Sequence, residues 1–184
     1  EFWLQTHEGD GNYNIKRWLE LEGSEVMPPP VAVWLGYLLH TPLWRMAAKP
    51  NIDRKMRMKM AMIRGLEKLY VGTYNRFRKA LAYVPHELPD QEELKQLASP
   101  FFHHELRGGE GHMLIGKALH AHLHKHANMT CELSPYSCMP NTMSQGAMAN
   151  VLGRHPDLLY APIEIKGDAE VHALSRCQMI LTEA

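Results

Sequence analysis

The chain has 184 residues, enough for one domain with a substantial core, and its 45% hydrophobic and 22% charged content is that of a soluble globular protein. Its 20 basic and 20 acidic residues cancel, so bulk charge directs it toward neither nucleic acid nor a membrane. Three irregularly spaced cysteines argue against a disulfide scaffold and fit a reducing, cytoplasmic compartment, while the longest apolar stretch, Val31 to Leu39, is too short to span a bilayer.

In chain order, Phe2 to Gln5 reads as a short strand, followed by the polar loop from Thr6 to Gly11. The loop opens a helix for which Asn12 is the expected N-cap, with Ile15, Trp18 and Leu19 on one face and Gly23 as the stop. Glu25-Val26-Met27 reads as a second strand, ended by Pro28-Pro29-Pro30. Strand, loop, helix and strand in that order open a βαβ unit with a parallel sheet. Val31 to Ala48 is apolar nearly all round and reads as a buried or partner-facing helix. Asp53 caps a long helix reaching about Tyr83, and a short helix occupies about Asp90 to Ala98. Gly108-Gly109-Glu110-Gly111 breaks the chain before a helix over His112 to His126. Met129 to Leu133 is a strand, Asn141 to Leu152 a helix, Leu158 to Ile165 an edge strand carrying Pro162, and Asp168 to Leu181 a final helix. The expected architecture is α/β: one Rossmann-like three-layer domain over 1–184, with a mostly parallel sheet of about four strands and a helical insertion at about 31–107. The first residues look like a strand interior and lack a starting Met, which suggests a piece of a longer protein.

Four features carry candidate chemistry. Glu8-Gly9-Asp10-Gly11-Asn12 lies where an open parallel sheet binds ligands, and its glycines let backbone N–H groups approach an anion. Its two carboxylates oppose a phosphate, and an ordinary turn explains the same residues. Cys138 sits in the proline-bracketed loop Ser134-Pro135-Tyr136-Ser137-Cys138-Met139-Pro140, before a helix whose N-terminus favours a thiolate. It reads as an iron–sulfur ligand or redox thiol, or else as a small loop residue. Cys131 lies in a strand and Cys177 in the last helix, and no C-x-x-C pair exists to complete a cluster. His120, His122, His124 and His126 alternate, so their i, i+4 pairs can chelate zinc or nickel weakly, although alternation spreads them over two faces of a solvated helix. Finally, Arg54, Lys55, Arg57, Lys59, Arg64, Lys68, Arg76, Arg78 and Lys79 interleave with Met56, Met58, Met60 and Met62, as either a docking face or a plain amphipathic helix.

Three segments resemble the C-terminal region of activator-type proteins of the 2-hydroxyacyl-CoA dehydratase system. They are Glu1-Phe2-Trp3 with Thr6 and Glu8 to Asn14 and the helix end Leu21 to Val26, then Gly109 to Lys117, then the Pro-aromatic-x-Cys-x-Pro loop Leu133 to Asn141. Where that loop often carries Gly, this chain has Ser137. The resemblance implies a parent that joins ATP-dependent activase modules to dehydratase-like modules holding a [4Fe–4S] cluster, for electron transfer or dehydration of an acyl-CoA. It implies that Cys138 is one cluster ligand, that Glu8, Gly9, Asp10, Gly11 and Asn12 line the adjoining crevice, and that the other thiolates and the ATP site lie upstream. The implied partners are activase and dehydratase modules. The rival reading is a non-catalytic domain that docks a partner.

Overall fold

The computed structural model describes residues 9–106 and 109–184, which divide into two compact units. One combines Glu1–Pro28 with Leu94–Ala184; the other is Pro29–Glu93. The described elements are α1 (Ile15–Leu21), α2 (Val31–Ala47), α3 (Arg54–Ala80), α4 (Gln91–Ala98), α5 (Gly111–Leu123), β1 (Met129–Pro135), α6 (Met139–Arg154), β2 (Leu159–Ile165) and α7 (Glu170–Leu181).

The larger unit is organised by a parallel pair, β1 and β2, in the register Met129↔Leu159 through Pro135↔Ile165. Helix α6 is the crossover that parallel strands require. Strand side chains alternate between faces, so one face presents Cys131, Leu133, Ala161 and Ile163. That face is covered by Tyr13, Ile15 and Leu19 from the N-terminal segment and by Ala173 and Cys177 from α7. The other face presents Glu132, Ser134 and Tyr160; there Tyr160 packs with Phe102, Ile115, Leu119, Met148 and Val151 from α5, α6 and the α4–α5 connection.

The expected Rossmann-like three-layer domain with about four strands does not form. Among the described residues the sheet has two strands, and the chain is mainly helical. Glu25 to Met27 runs as irregular chain into Pro28-Pro29-Pro30, whose missing N–H groups and fixed φ deny a ladder to that stretch. The strand expected at Phe2 to Gln5 lies outside the described residues. Asn12 is not the N-cap of α1: Asn14 holds that position, with φ 50°, and Asn12 is fully buried in the preceding turn. Gly23, at φ +90°, ends α1 as expected, and the Ser24 N–H bonds back to the Leu19 carbonyl at 3.0 Å.

In the smaller unit, Asp53 caps α3 by accepting from the Met56 N–H at 2.6 Å. The inward side of α3 carries half-buried Met56, Met60, Ile63, Glu67, Tyr70 and Tyr74, a repeat of three and four residues that keeps one stripe against α2. Glu67 meets His40 of α2 at 2.5 Å, and the Tyr70 hydroxyl donates to the Ala32 carbonyl at 2.9 Å. Met58, Met62, Leu66, Leu69 and Phe77 of α3 are exposed. No described helix is long and apolar enough to cross a membrane.

The α4–α5 contact depends on one missing side chain. A Cβ on Gly116 would stand 2.4 Å from the Leu94 carbonyl oxygen, an atom of backbone that cannot swing aside. Gly116→Ala should therefore destabilise the protein by about 1–3 kcal/mol, the usual range for overpacking, despite alanine's better helix propensity. Gly146→Ala, which meets nothing within 4 Å in α6, should instead stabilise by up to about 1 kcal/mol. Urea unfolding of the two variants beside the parent chain checks both signs.

Candidate functional site

The carboxyl end of the strand pair gathers the Gly9–Asn14 turn, the start of the Gly109–Lys117 segment and the cysteine loop. β1 delivers the cysteine loop directly: the Cys138 N–H donates to the Pro135 carbonyl at 3.0 Å, and the Tyr136 N–H to the Ile165 carbonyl at 3.1 Å. Cys138 is the N-cap of α6 and is half-buried. The glycine segment closes onto the same turn. A Cβ on Gly109, at φ +80°, would lie 2.6 Å from Pro140 Cγ, and one on Gly111 would lie 3.2 Å from the Pro140 carbonyl oxygen. These two glycines are what lets the chain entering α5 lie against the turn entering α6.

The N-terminal loop reaches this end through Tyr13. The Lys166 N–H, just past β2, donates to the Tyr13 hydroxyl at 2.8 Å, and that hydroxyl donates on to the Lys166 carbonyl. Gly9 to Asn12 form a closed turn: the Gly9 N–H donates to Asn12 Oδ1 at 3.2 Å, while the Asn12 and Asn14 N–H groups donate to the Gly9 carbonyl at 3.1 and 3.0 Å. Asp10 and Gly11 belong to the 3-10 helix of that turn, and Glu8 lies outside the described residues.

Beneath Cys138 is a polar cluster that sequence reasoning did not assemble. Glu132, in mid-β1 and 7% exposed, accepts from Asn141 Nδ2 at 2.6 Å and Ser144 Oγ at 2.7 Å on one oxygen, and from the Tyr160 hydroxyl at 2.6 Å on the other. Burial and the Glu132 charge both raise the Tyr160 pKa, so the phenol stays protonated and donates. Lys117, half-buried on α5, feels both Glu132 and Glu110. Burial nonetheless outweighs their attraction and lowers its pKa to about 8. Asn141 is the third residue of α6, so its bond to Glu132 fastens the helix end that Cys138 caps. A charged residue inside the apolar run Met129 to Leu133 was the available signal, because a buried carboxylate needs donors from elsewhere in the fold.

The other two thiols occupy the opposite face of the sheet. Cys131 and Cys177 approach to 3.8 Å between sulfurs, and Cys177 is fully buried. Contact with Cys177 and burial raise the Cys131 pKa. These residues supply Cys138 with no partner thiolate, and a [4Fe–4S] cluster takes three or four. The chain's own cysteines therefore do not make a complete cluster site.

No protein-family model matches the chain, and neither does a curated protein or a solved structure.

Glu132→Ala leaves three buried donors without their acceptor and should destabilise by about 3–5 kcal/mol, the range for breaking a buried charged network. Replacing Tyr160 by Phe in the same background should then cost less than it does alone, a coupling that a double-mutant cycle measures. His112, in the first turn of α5 and 2% exposed, has its pKa lowered to about 4 by burial first, then by His104 and Lys95. In the unfolded chain it takes up its proton near the ordinary value of 6.5. Stability should therefore fall as pH drops from about 6.5 to about 4, with no further loss from this group below that window. Unfolding midpoints across the window should show a shallower slope in His112→Asn; an unchanged slope would assign the effect to other groups.

Proposed function

We propose that this chain is a dehydratase-like module of a 2-hydroxyacyl-CoA dehydratase activator, in which Cys138 contributes one thiolate to an iron–sulfur cluster. The observation that supports this reading is the convergence of the Gly9–Asn14 loop, the Gly109–Lys117 segment and the Cys138 turn at the carboxyl end of the parallel strands. Ligand sites of parallel α/β folds lie at that end. In this reading the other thiolates come from segments upstream of Glu1, and activase and dehydratase modules are the partners. Such a cluster passes low-potential electrons toward the dehydration of an acyl-CoA. The chain's own part is positional. Glu132 holds Asn141 and Ser144, which orients the start of α6 and hence Cys138, while the glycines at 109 and 111 keep the turn close to α5. ATP binding belongs to an activase module. A reducing, cytoplasmic setting goes with the reading, since thiolate ligands must stay reduced.

A second reading, a non-catalytic module that docks a partner, is favoured by the exposed side of α3. Met58, Met62, Leu66, Leu69 and Phe77 are each at least half exposed there, beside Arg57, Arg64 and Lys68. The only carboxylate of α3, Glu67, turns inward to His40.

One experiment separates the two. The intact protein is reconstituted anaerobically with iron and sulfide, and both are assayed chemically. The first reading expects a cluster whose content falls by more than half in Cys138→Ala and is unchanged in Cys131→Ala. Equal cluster content in the two variants removes Cys138 as a ligand, and a protein that takes up no iron or sulfide supports the docking reading.

A further inference from the structure

At the other end of β1, the residues that lead into the strand bring three imidazoles together. His120, in the last turn of α5, and His124, its C-cap residue, have ring centroids 4.4 Å apart. His126 lies beyond the helix, yet its ring is 5.5 Å from His120 and 5.8 Å from His124. The turn that ends α5 accounts for this. Lys125 takes φ 55°, its N–H donates to the His122 carbonyl at 3.1 Å, and the His126 N–H reaches back to the Ala121 carbonyl at 2.8 Å. This is the Schellman arrangement, in which glycine is the usual occupant of the left-handed position. A lysine holds the strained conformation here, and the result is that His126 folds back over the last turn of the helix. His122 points elsewhere: its Nε2 is 3.3 Å from Asp157, and its ring lies edge-on to His155.

We propose that His120, His124 and His126 form a binding site for a divalent cation of the zinc class, with solvent completing the coordination. Zinc–nitrogen bonds of about 2.0–2.1 Å place three imidazole centroids roughly 5 Å apart around a tetrahedral ion, and the observed separations bracket that value. His124 and His126 are exposed and His120 is half-buried, which leaves the rings room to turn toward a shared ion. Neutral imidazole is a preferred ligand of Zn²⁺, Ni²⁺ and Cu²⁺. The site also lies at the C-terminus of α5, where the helix dipole favours a cation. Four-histidine alternation in the sequence predicts two competing pairs; the turn at Lys125 instead selects three histidines and releases His122. This inference is independent of the iron–sulfur reading, which concerns the opposite end of the strand.

The test is calorimetric titration of the untagged full chain with Zn²⁺ alone, followed by Co²⁺ substitution and visible absorption. The expected result is one equivalent bound with micromolar affinity, and cobalt absorption of four-coordinate intensity. His120→Ala, His124→Ala and His126→Ala should each weaken binding at least tenfold, while His122→Ala leaves it unchanged. Lys125→Gly, which keeps the turn and relieves its strain, should retain binding and raise the unfolding temperature. Circular dichroism of each variant reports folding separately. Binding that survives the three alanine variants, that is lost equally with His122→Ala, or that lacks the four-coordinate cobalt signature overturns the site.

Discussion

The Glu132 carboxylate is the group around which the larger unit is arranged. It sits in mid-strand on a nearly closed face and is tolerable there only because three donors from two other elements meet it. Tyr160 ties it to the neighbouring strand, and Asn141 and Ser144 tie it to the crossover helix. Those are the same elements that close the hydrophobic cluster of Ile115, Leu119, Met148 and Val151. The polar pin and the apolar core therefore specify one geometry between them: packing alone leaves helix α6 free to slide or turn, whereas three directed bonds to one carboxylate do not. Lys117 feels the charge of Glu132, but burial outweighs that attraction and lowers its pKa to about 8.

The sequence carried the helices well and the sheet poorly. Periodic apolar spacing, the Asp53 cap and the Gly23 stop placed most helices within a few residues of their observed ends, because each signal is local. The strand count failed because strand formation is not local. Glu25-Val26-Met27 has acceptable strand residues, yet it runs into three prolines that deny it a ladder. Met129 to Pro135 and Leu159 to Ile165 succeed because each has a partner and a helix layer on both sides.

The candidate site divides the same way. Its loops were visible as glycine, proline and cysteine punctuation, whereas its buried network was not. Lys117, Glu132, Asn141, Ser144 and Tyr160 are distributed over 44 residues of sequence with no shared motif, and only the parallel register and the crossover bring them together. The alternating histidines show the converse. Their spacing was legible, but a left-handed residue at Lys125, a position that does not advertise a turn, decides which of them can meet.

Among the described non-glycine residues, positive φ occurs at Tyr13, Asn14 and Ser137 near the carboxyl end of the strands, at Ala82 and Tyr83 after α3, and at Lys125. Each such residue costs on the order of 1–2 kcal/mol relative to an ordinary conformation. Ser137 stands immediately before Cys138, where glycine would adopt the same φ of 61° with little strain. A turn held in that state must be over-determined by its surroundings. Here the surroundings are identifiable: the Gly109 and Gly111 backbone against Pro140, the Asn141–Glu132 bond below, and the Tyr136–Ile165 bond across the strands. The Tyr13–Lys166 bonds do the same for the neighbouring loop. Three of the six positive-φ residues thus lie where these chain segments meet, and backbone bonds and a buried polar pin hold that backbone in place.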